Sequence, residues 1–293
     1  MGTVLLSDLE IARLESPGVP DAQLVISLAQ RTLDELAMEP PVSHEIMASV
    51  RDIACIQETG LPWAGCLVRE GGRFVIRLRA GDSHGKKRFT AFHEVEHTYM
   101  PGFALATQYR CDPATPPDSV SARDPGVEAL CDLGAVELLL PRKDFVNDLD
   151  GNTPTLGLAS LLAERYDASL EATARRIVTL HPVPTLLIAL APACKPSAPH
   201  DEPRLRVQWA SGSNGWPFIP RHKSVPASSI LAGPLDGDIV NEVGVLTGLT
   251  ASPIGPVRIS AGLYPYTDRQ GDQHMRVLAL IAPASQQGLH RAA

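Results

Sequence analysis

Nothing in this 293-residue chain approaches the roughly 20 consecutive apolar residues that a bilayer-spanning helix needs. The start, M-G-T-V-L-L-S-D over residues 1–8, has neither a basic region nor a cleavable apolar core, so no secretion signal is expected. Cysteine is sparse. Cys55, Cys66, Cys111, Cys131 and Cys194 are odd in number, scattered and without a C-x-x-C pair, which argues for reduced thiols and against a disulfide framework. These absences together predict a cytoplasmic protein. No phosphate loop, dinucleotide fingerprint, internal repeat or low-complexity tract is present. Basic residues are also in deficit: 26 Lys and Arg against 33 Asp and Glu give a net charge of −7, which argues against direct DNA binding by the whole molecule. The acidic excess lies in residues 1–194, while the remainder is slightly basic, which suggests two units.

What is present is a complete H-E-x-x-H signature in Phe92-His93-Glu94-Val95-Glu96-His97. On a helix, His93 and His97 are offset by only about 40°, so both imidazoles leave one face and can grip one Zn²⁺. Glu94 stands beside them, where a carboxylate can take a proton from the water that such a metal activates. The competing reading is two helix-surface histidines with a solvated glutamate between them. The flanking residues favour the first. Phe89, Phe92, Val95 and Tyr99 follow three- and four-residue steps, so the helix has one face to bury, and Pro101-Gly102 stops it.

A zinc peptidase needs a third protein ligand and an open fourth position. The run from Gly126 to Pro141 is strongly helical and almost wholly apolar apart from Glu128, Asp132 and Glu137. Glu128 and Asp132 are one turn apart and repel each other unless a cation or a donor lies between them. Ligation by Glu128, with Asp132 accepting the outer N–H of a ligand histidine, satisfies both. Ordinary first-turn acids favoured by the helix dipole are the alternative.

The pairing of Arg88-Phe89-Thr90-Ala91-Phe92-His93-Glu94-Val95-Glu96-His97 with Glu128-Ala129-Leu130-Cys131-Asp132 and Glu137-Leu138-Leu139-Leu140-Pro141 resembles the ImmA/IrrE metallopeptidases. There, an R-F-T-x-x-H-E-x-x-H helix is followed by E-x-x-A-N-x-F-A-x-x-L-L-M-P. The resemblance covers about residues 80–145. It implies zinc ligands at His93, His97 and Glu128, with Glu94 as general base. The Glu128–Asp132 spacing is also like that of thermolysin-type (gluzincin-like) enzymes, in which the aspartate orients a ligand histidine. Some positions depart from the pattern. Glu96 replaces the usual glycine, and Cys131, Asp132 and Gly134 stand where Ala, Asn and Phe are common.

Elsewhere, Asp21–Ala37 reads as an amphipathic helix and Ser43–Glu58 as a second one capped by Ser43. Residues 63–69 and 73–79 flank Glu70-Gly71-Gly72, a hairpin signal. Residues 103–126, rich in proline, are expected to form a long loop. Residues 155–180 hold two short helical patterns around Tyr166-Asp167-Ala168-Ser169, either a DNA-reading helix-turn-helix with Arg175-Arg176 meeting phosphate, or, as favoured here, a helical pair packed against the peptidase body. Beyond Pro182 the texture turns strand-like, with strands expected at 184–190, 205–210, 257–264 and 275–281, the last two joined by a polar turn at 268–272.

The expectation is therefore an α+β chain. It has a zinc-peptidase core at 1–145 (a small sheet, the H-E-x-x-H helix and a Glu-bearing helix), a helical extension at 146–181, and a β-rich or α+β regulatory domain at 182–293. The resemblance implies a Zn²⁺-dependent (or Mn²⁺-dependent) endopeptidase. Its substrate would be a protein such as a helix-turn-helix repressor, cleaved to switch on stress-response or mobile-element genes, with the last domain acting, by analogy with members that have a GAF-like domain, as a sensor or substrate-docking unit. His84, Tyr99, Tyr109 and His181 are chemically able to stabilise an oxyanion. The rival expectation is a non-catalytic, metal-dependent regulatory module, which has no need of Glu94.

Overall fold

The computed structural model describes residues 6–103, 108–111, 125–200, 202–237, 239–250, 252–267 and 272–284. It is α+β, with two separate sheets. The chain divides into two compact units, one comprising 1–145 with 164–169, the other 146–163 with 170–293. No helix among the described residues is long and apolar enough to cross a membrane.

The first unit opens with α1 (Asp8–Glu15), fixed by a reciprocal Ser7–Glu10 capping box, and α2 (Asp21–Glu35), which buries Leu24, Val25, Leu28, Ala29 and Leu33. Ser43 caps α3 (His44–Val50) by accepting from the Ile46 N–H, as its sequence position suggests. The helix expected to run on to Glu58 ends there instead. Asp52 takes a left-handed φ of 58°, which breaks the ladder, and Ile53–Thr59 becomes strand β1. Its β-branched Ile53, Ile56 and Thr59 suit a strand, and parallel pairing with a distant strand, invisible to local periodicity, decides the matter.

That partner is β3 (Arg73–Arg79), which also pairs antiparallel with β2 (Gly65–Glu70). Glu70 pairs directly with Arg73, so the hairpin turn is the two residues Gly71 and Gly72. Both have positive φ (56° and 85°), as a type I′ turn requires, and glycine supplies this without steric cost. Within the expected 103–126 loop lies a fourth strand, β4 (Gln108–Cys111), antiparallel to β2; residues 104–107 and 112–124 lie outside the described residues. The sheet order is β1-β3-β2-β4.

Helix α4 (His84–Glu96) carries the motif and packs on this sheet and on α5 (Pro125–Leu139). A turn of 3₁₀ helix, His97–Tyr99, finishes it before Pro101 and Gly102. The predicted single buried face understates the packing: from Thr90 to Met100 every residue is buried. Such all-round burial means that each polar group there must be satisfied by protein or by a ligand. Helix α6 (Arg142–Leu149) follows, with Phe145 in tilted contact with Tyr166, 5.2 Å between ring centroids.

The second unit carries most of α7 (Leu156–Tyr166) and all of α8 (Leu170–Leu180), the pair separated by Asp167 at φ 51°. Its sheet is wholly antiparallel, in the order β6-β5-β9-β8-β7, from β5 (Leu186–Ala193), β6 (Arg204–Gly212), β7 (Val240–Leu246), β8 (Ile254–Thr267) and β9 (Gln273–Pro283). Alternate residues Leu186, Ile188, Leu190, Ile259, Ala261, Val277, Ala279 and Ile281 build the core on one face. Edge strand β7 is absent from the expected set, because Asn241, Glu242 and Gly244 hide its pattern. The polar turn expected at 268–272 lies outside the described residues except for Asp272.

Helix α8 lies on β5 and β6. Arg176 is buried, and Arg175 sits 3.8 Å over the Trp209 ring while pairing with Glu171. Arg175 is thus engaged inside the second unit, and α8 packs on that unit's own sheet, where the expectation was packing on the peptidase body.

Candidate metal centre

His93 and His97 project from α4 and its terminal turn toward the first turn of α5. Their rings meet edge to face, 4.9 Å between centroids. Glu128 reaches both: its Oε2 is 3.2 Å from His93 Nε2, and its Oε1 is 3.7 Å from His97 Nε2. One ligand atom from each of these three residues lies within 4.8 Å of the others. Bonds of about 2.1 Å in a tetrahedron put neighbouring donors about 3.4 Å apart, close to the 3.2 Å between His93 Nε2 and Glu128 Oε2. His93 Nε2 is buried, has no hydrogen-bond partner among the described residues, and lies beside the Glu128 carboxylate. The donor set, two imidazoles and one carboxylate, suits zinc and also admits manganese.

The outer nitrogens are held from α5. Asp132 Oδ1 lies 2.8 Å from His93 Nδ1, so the carboxylate fixes the tautomer that leaves Nε2 free to ligate. Burial disfavours charging His93, but Asp132 and Glu128 outweigh it and raise the imidazole to about 10 when no metal is bound. Cys131 Sγ lies 3.4 Å from His97 Nδ1. Glu94 is fully buried on α4 between the two histidines.

Two departures from the family pattern occupy one space. Glu96 is fully buried on α4, and a Cβ built on Gly134 of α5 would fall 2.1 Å from its Oε2. The carboxyl thus fills the volume that a larger residue at 134 would take. Burial pushes it up to about 8, with Arg51 and His93 pulling the other way. Glu137, also buried, accepts from Gln30 Nε2 at 3.0 Å and from the Arg142 N–H at 2.9 Å.

No family profile matches the sequence, and no curated protein does. A solved structure described as a Mycobacterium tuberculosis transcriptional regulator is similar, with a TM-score of 0.56 over 88% of this chain and 76% of that one. At 14% identity the likeness concerns the fold alone.

Two of the oxyanion candidates, His84 and Tyr99, are engaged elsewhere in the first unit. His84 begins α4, nine residues and about 13 Å along the helix from His93, and bonds to Asp167 at 2.8 Å. Tyr99 is buried with its hydroxyl 3.0 Å from Thr32 Oγ1 and Arg51 over its ring, and burial pushes it up to about 12. His181, in the second unit, faces Asn152 O through Nε2 and accepts from the Val183 N–H through Nδ1. The Tyr109 side chain lies outside the described residues. Cys55, Cys66, Cys131 and Cys194 are free thiols; the Cys111 side chain likewise lies outside the described residues. Sequence reasoning places Cys131 one turn from Glu128 and Asp132, as a redox-sensitive neighbour or, the favoured reading, a buried small apolar residue, and misses its contact with His97. Its i+3 spacing from Glu128 is the signal that it shares the ligand face.

Proposed function

We propose that the chain is a zinc-dependent endopeptidase of the ImmA/IrrE type. The observation that carries this reading is the convergence of His93, His97 and Glu128, with Asp132 on the outer nitrogen of His93 and Glu94 on the same buried helix turn. A bound Zn²⁺ supplies Lewis acidity, polarising the scissile carbonyl and acidifying water. Glu94 accepts the proton of the attacking water and returns it to the leaving amine. Asp132 keeps His93 in the ligating tautomer. The side chains of His93, Glu94 and His97 are buried, which strengthens the electrostatic interactions among them. The favoured substrate is a helix-turn-helix repressor, whose cleavage would switch transcription. Supporting this are the motif resemblance over residues 88–97 and 128–141 and the likeness in fold to a chain described as a transcriptional regulator. The second unit, which contributes none of the three ligands, serves to set what is cut or when.

The test is metal content followed by cleavage. The purified protein should hold about one equivalent of Zn²⁺ or Mn²⁺ and cut repressor-derived peptides in a chelator-sensitive way. Glu94→Gln should keep the metal and lose at least about 10²-fold in rate. Metal retention with no cleavage of any peptide by the wild type would favour the non-catalytic regulatory module instead.

A further inference from the structure

Glu128, Cys131 and Asp132 follow steps of three and four residues on α5, so they share one helical face. That face meets both imidazoles. Glu128 reaches the two Nε2 atoms, Asp132 holds His93 Nδ1, and Cys131 Sγ stands 3.4 Å from His97 Nδ1. We propose that Cys131 is a positioning residue: its sulfur accepts the His97 Nδ1–H and so keeps the Nε2 lone pair of His97 directed at the metal position. The proposal rests on the metal-centre reading above.

The contact allows two proton arrangements. Either His97 Nδ1–H donates to sulfur and Nε2 is free to ligate, or the thiol donates to Nδ1 and the ring proton blocks Nε2. A ligating His97 requires the first, and the buried geometry brings sulfur where the acceptor must be. Cys131 is wholly enclosed on the α5 face that meets His97, so its sulfur is placed to orient that ring.

His93 has a carboxylate on its outer nitrogen, whereas the contact at His97 Nδ1 is to a sulfur, a weaker acceptor. Replacing Cys131 should act on metal affinity through that one ligand while leaving His93 and Glu128 intact.

Two measurements on the full chain decide the matter. In a Zn²⁺ competition titration against a chromophoric chelator, Cys131→Val keeps the volume but removes the acceptor, and should weaken binding about tenfold. Cys131→Ser, which restores a polar atom, should bind more tightly than the valine variant. In wild-type protein loaded with Zn²⁺, ¹⁵N spectra of the histidine side chains should show His97 protonated at Nδ1 and bare at Nε2. This second measurement needs no variant to fold. Cys131→Val binding as tightly as wild type, or His97 carrying its proton on Nε2, overturns the proposal. Wild type that takes up no Zn²⁺ at all overturns the metal-centre reading itself, a result distinct from a loaded wild type matched by its valine variant.

Discussion

Gly134→Ala should destabilise the first unit, although the same change in an ordinary helix interior stabilises it by about 1 kcal/mol. The new Cβ would stand 2.1 Å from Glu96 Oε2, 2.2 Å from its Cδ and 2.8 Å from its Cγ. Turning the carboxyl about its last bond leaves the Cγ and Cδ conflicts in place. Glu96 is fully buried, so it has no solvent to retreat into, and the helices α4 and α5 must part or the side chain must leave its rotamer. Overpacking of this kind costs up to about 3 kcal/mol, which leaves a net loss of about 2 kcal/mol after the helix gain. For a unit of this size that lowers the melting temperature by roughly 4–8 °C. The assay is thermal unfolding followed by circular dichroism on four metal-free proteins: wild type, Gly134→Ala, Glu96→Ala and the double variant. Removing metal keeps mass action out of the comparison. Shortening Glu96 opens the space that the added methyl group needs, so the double variant should be more stable than the sum of the single effects by about 1 kcal/mol or more. A Gly134→Ala protein that melts at or above wild type would refute the reasoning, as would single effects that add to within about 0.5 kcal/mol.

Asp132→Ala should weaken Zn²⁺ binding by about 10- to 100-fold, and Asp132→Asn, which keeps an acceptor without the charge, should fall between it and wild type; equal affinities in a chelator competition would count against the Asp132–His93 contact. Glu96→Gln should gain on wild type as pH rises. Burial lifts the folded-state carboxyl from 4.5 to about 8, so between those values the folded chain keeps a proton that the unfolded chain has released. Wild-type stability therefore falls through that window by up to about 1 kcal/mol per pH unit, the loss being absent below it and complete above it. A wild-type-to-Gln stability gap that stays constant between pH 5 and 8 in metal-free protein would show that Glu96 ionises as it does in the unfolded chain.

The parts of this molecule that can be read from sequence are those in which residues a turn apart act together. His93 with His97, and Glu128 with Asp132, are i, i+4 pairs, and such pairs share a face wherever the helix finally packs. The Gly71-Gly72 turn is legible for a similar reason, since two adjacent positive-φ residues demand glycine locally. Segment 53–59 reads as helix but folds as strand, because a parallel strand draws its stability from β3, a partner beyond the next strand in the chain, rather than from its own periodicity. Strand β7 escapes a sequence reading because it is an edge, exposed along most of its length, and carries no clean alternation. The departures at 96 and 134 show the same limit at the site. Taken singly, a buried glutamate and a helical glycine each look like a loss. Only when α4 and α5 are laid together does the glycine become the room that the glutamate fills. Cys131 follows the same logic: its sequence position places it on the ligand face, but the imidazole nitrogen that it meets belongs to a residue 34 positions earlier. What α5 contributes is therefore more than one candidate ligand. It carries Glu128, meets the outer nitrogens of both histidines, and leaves space at Gly134 for Glu96, so a change at any of these positions should be felt at the candidate metal position through α4.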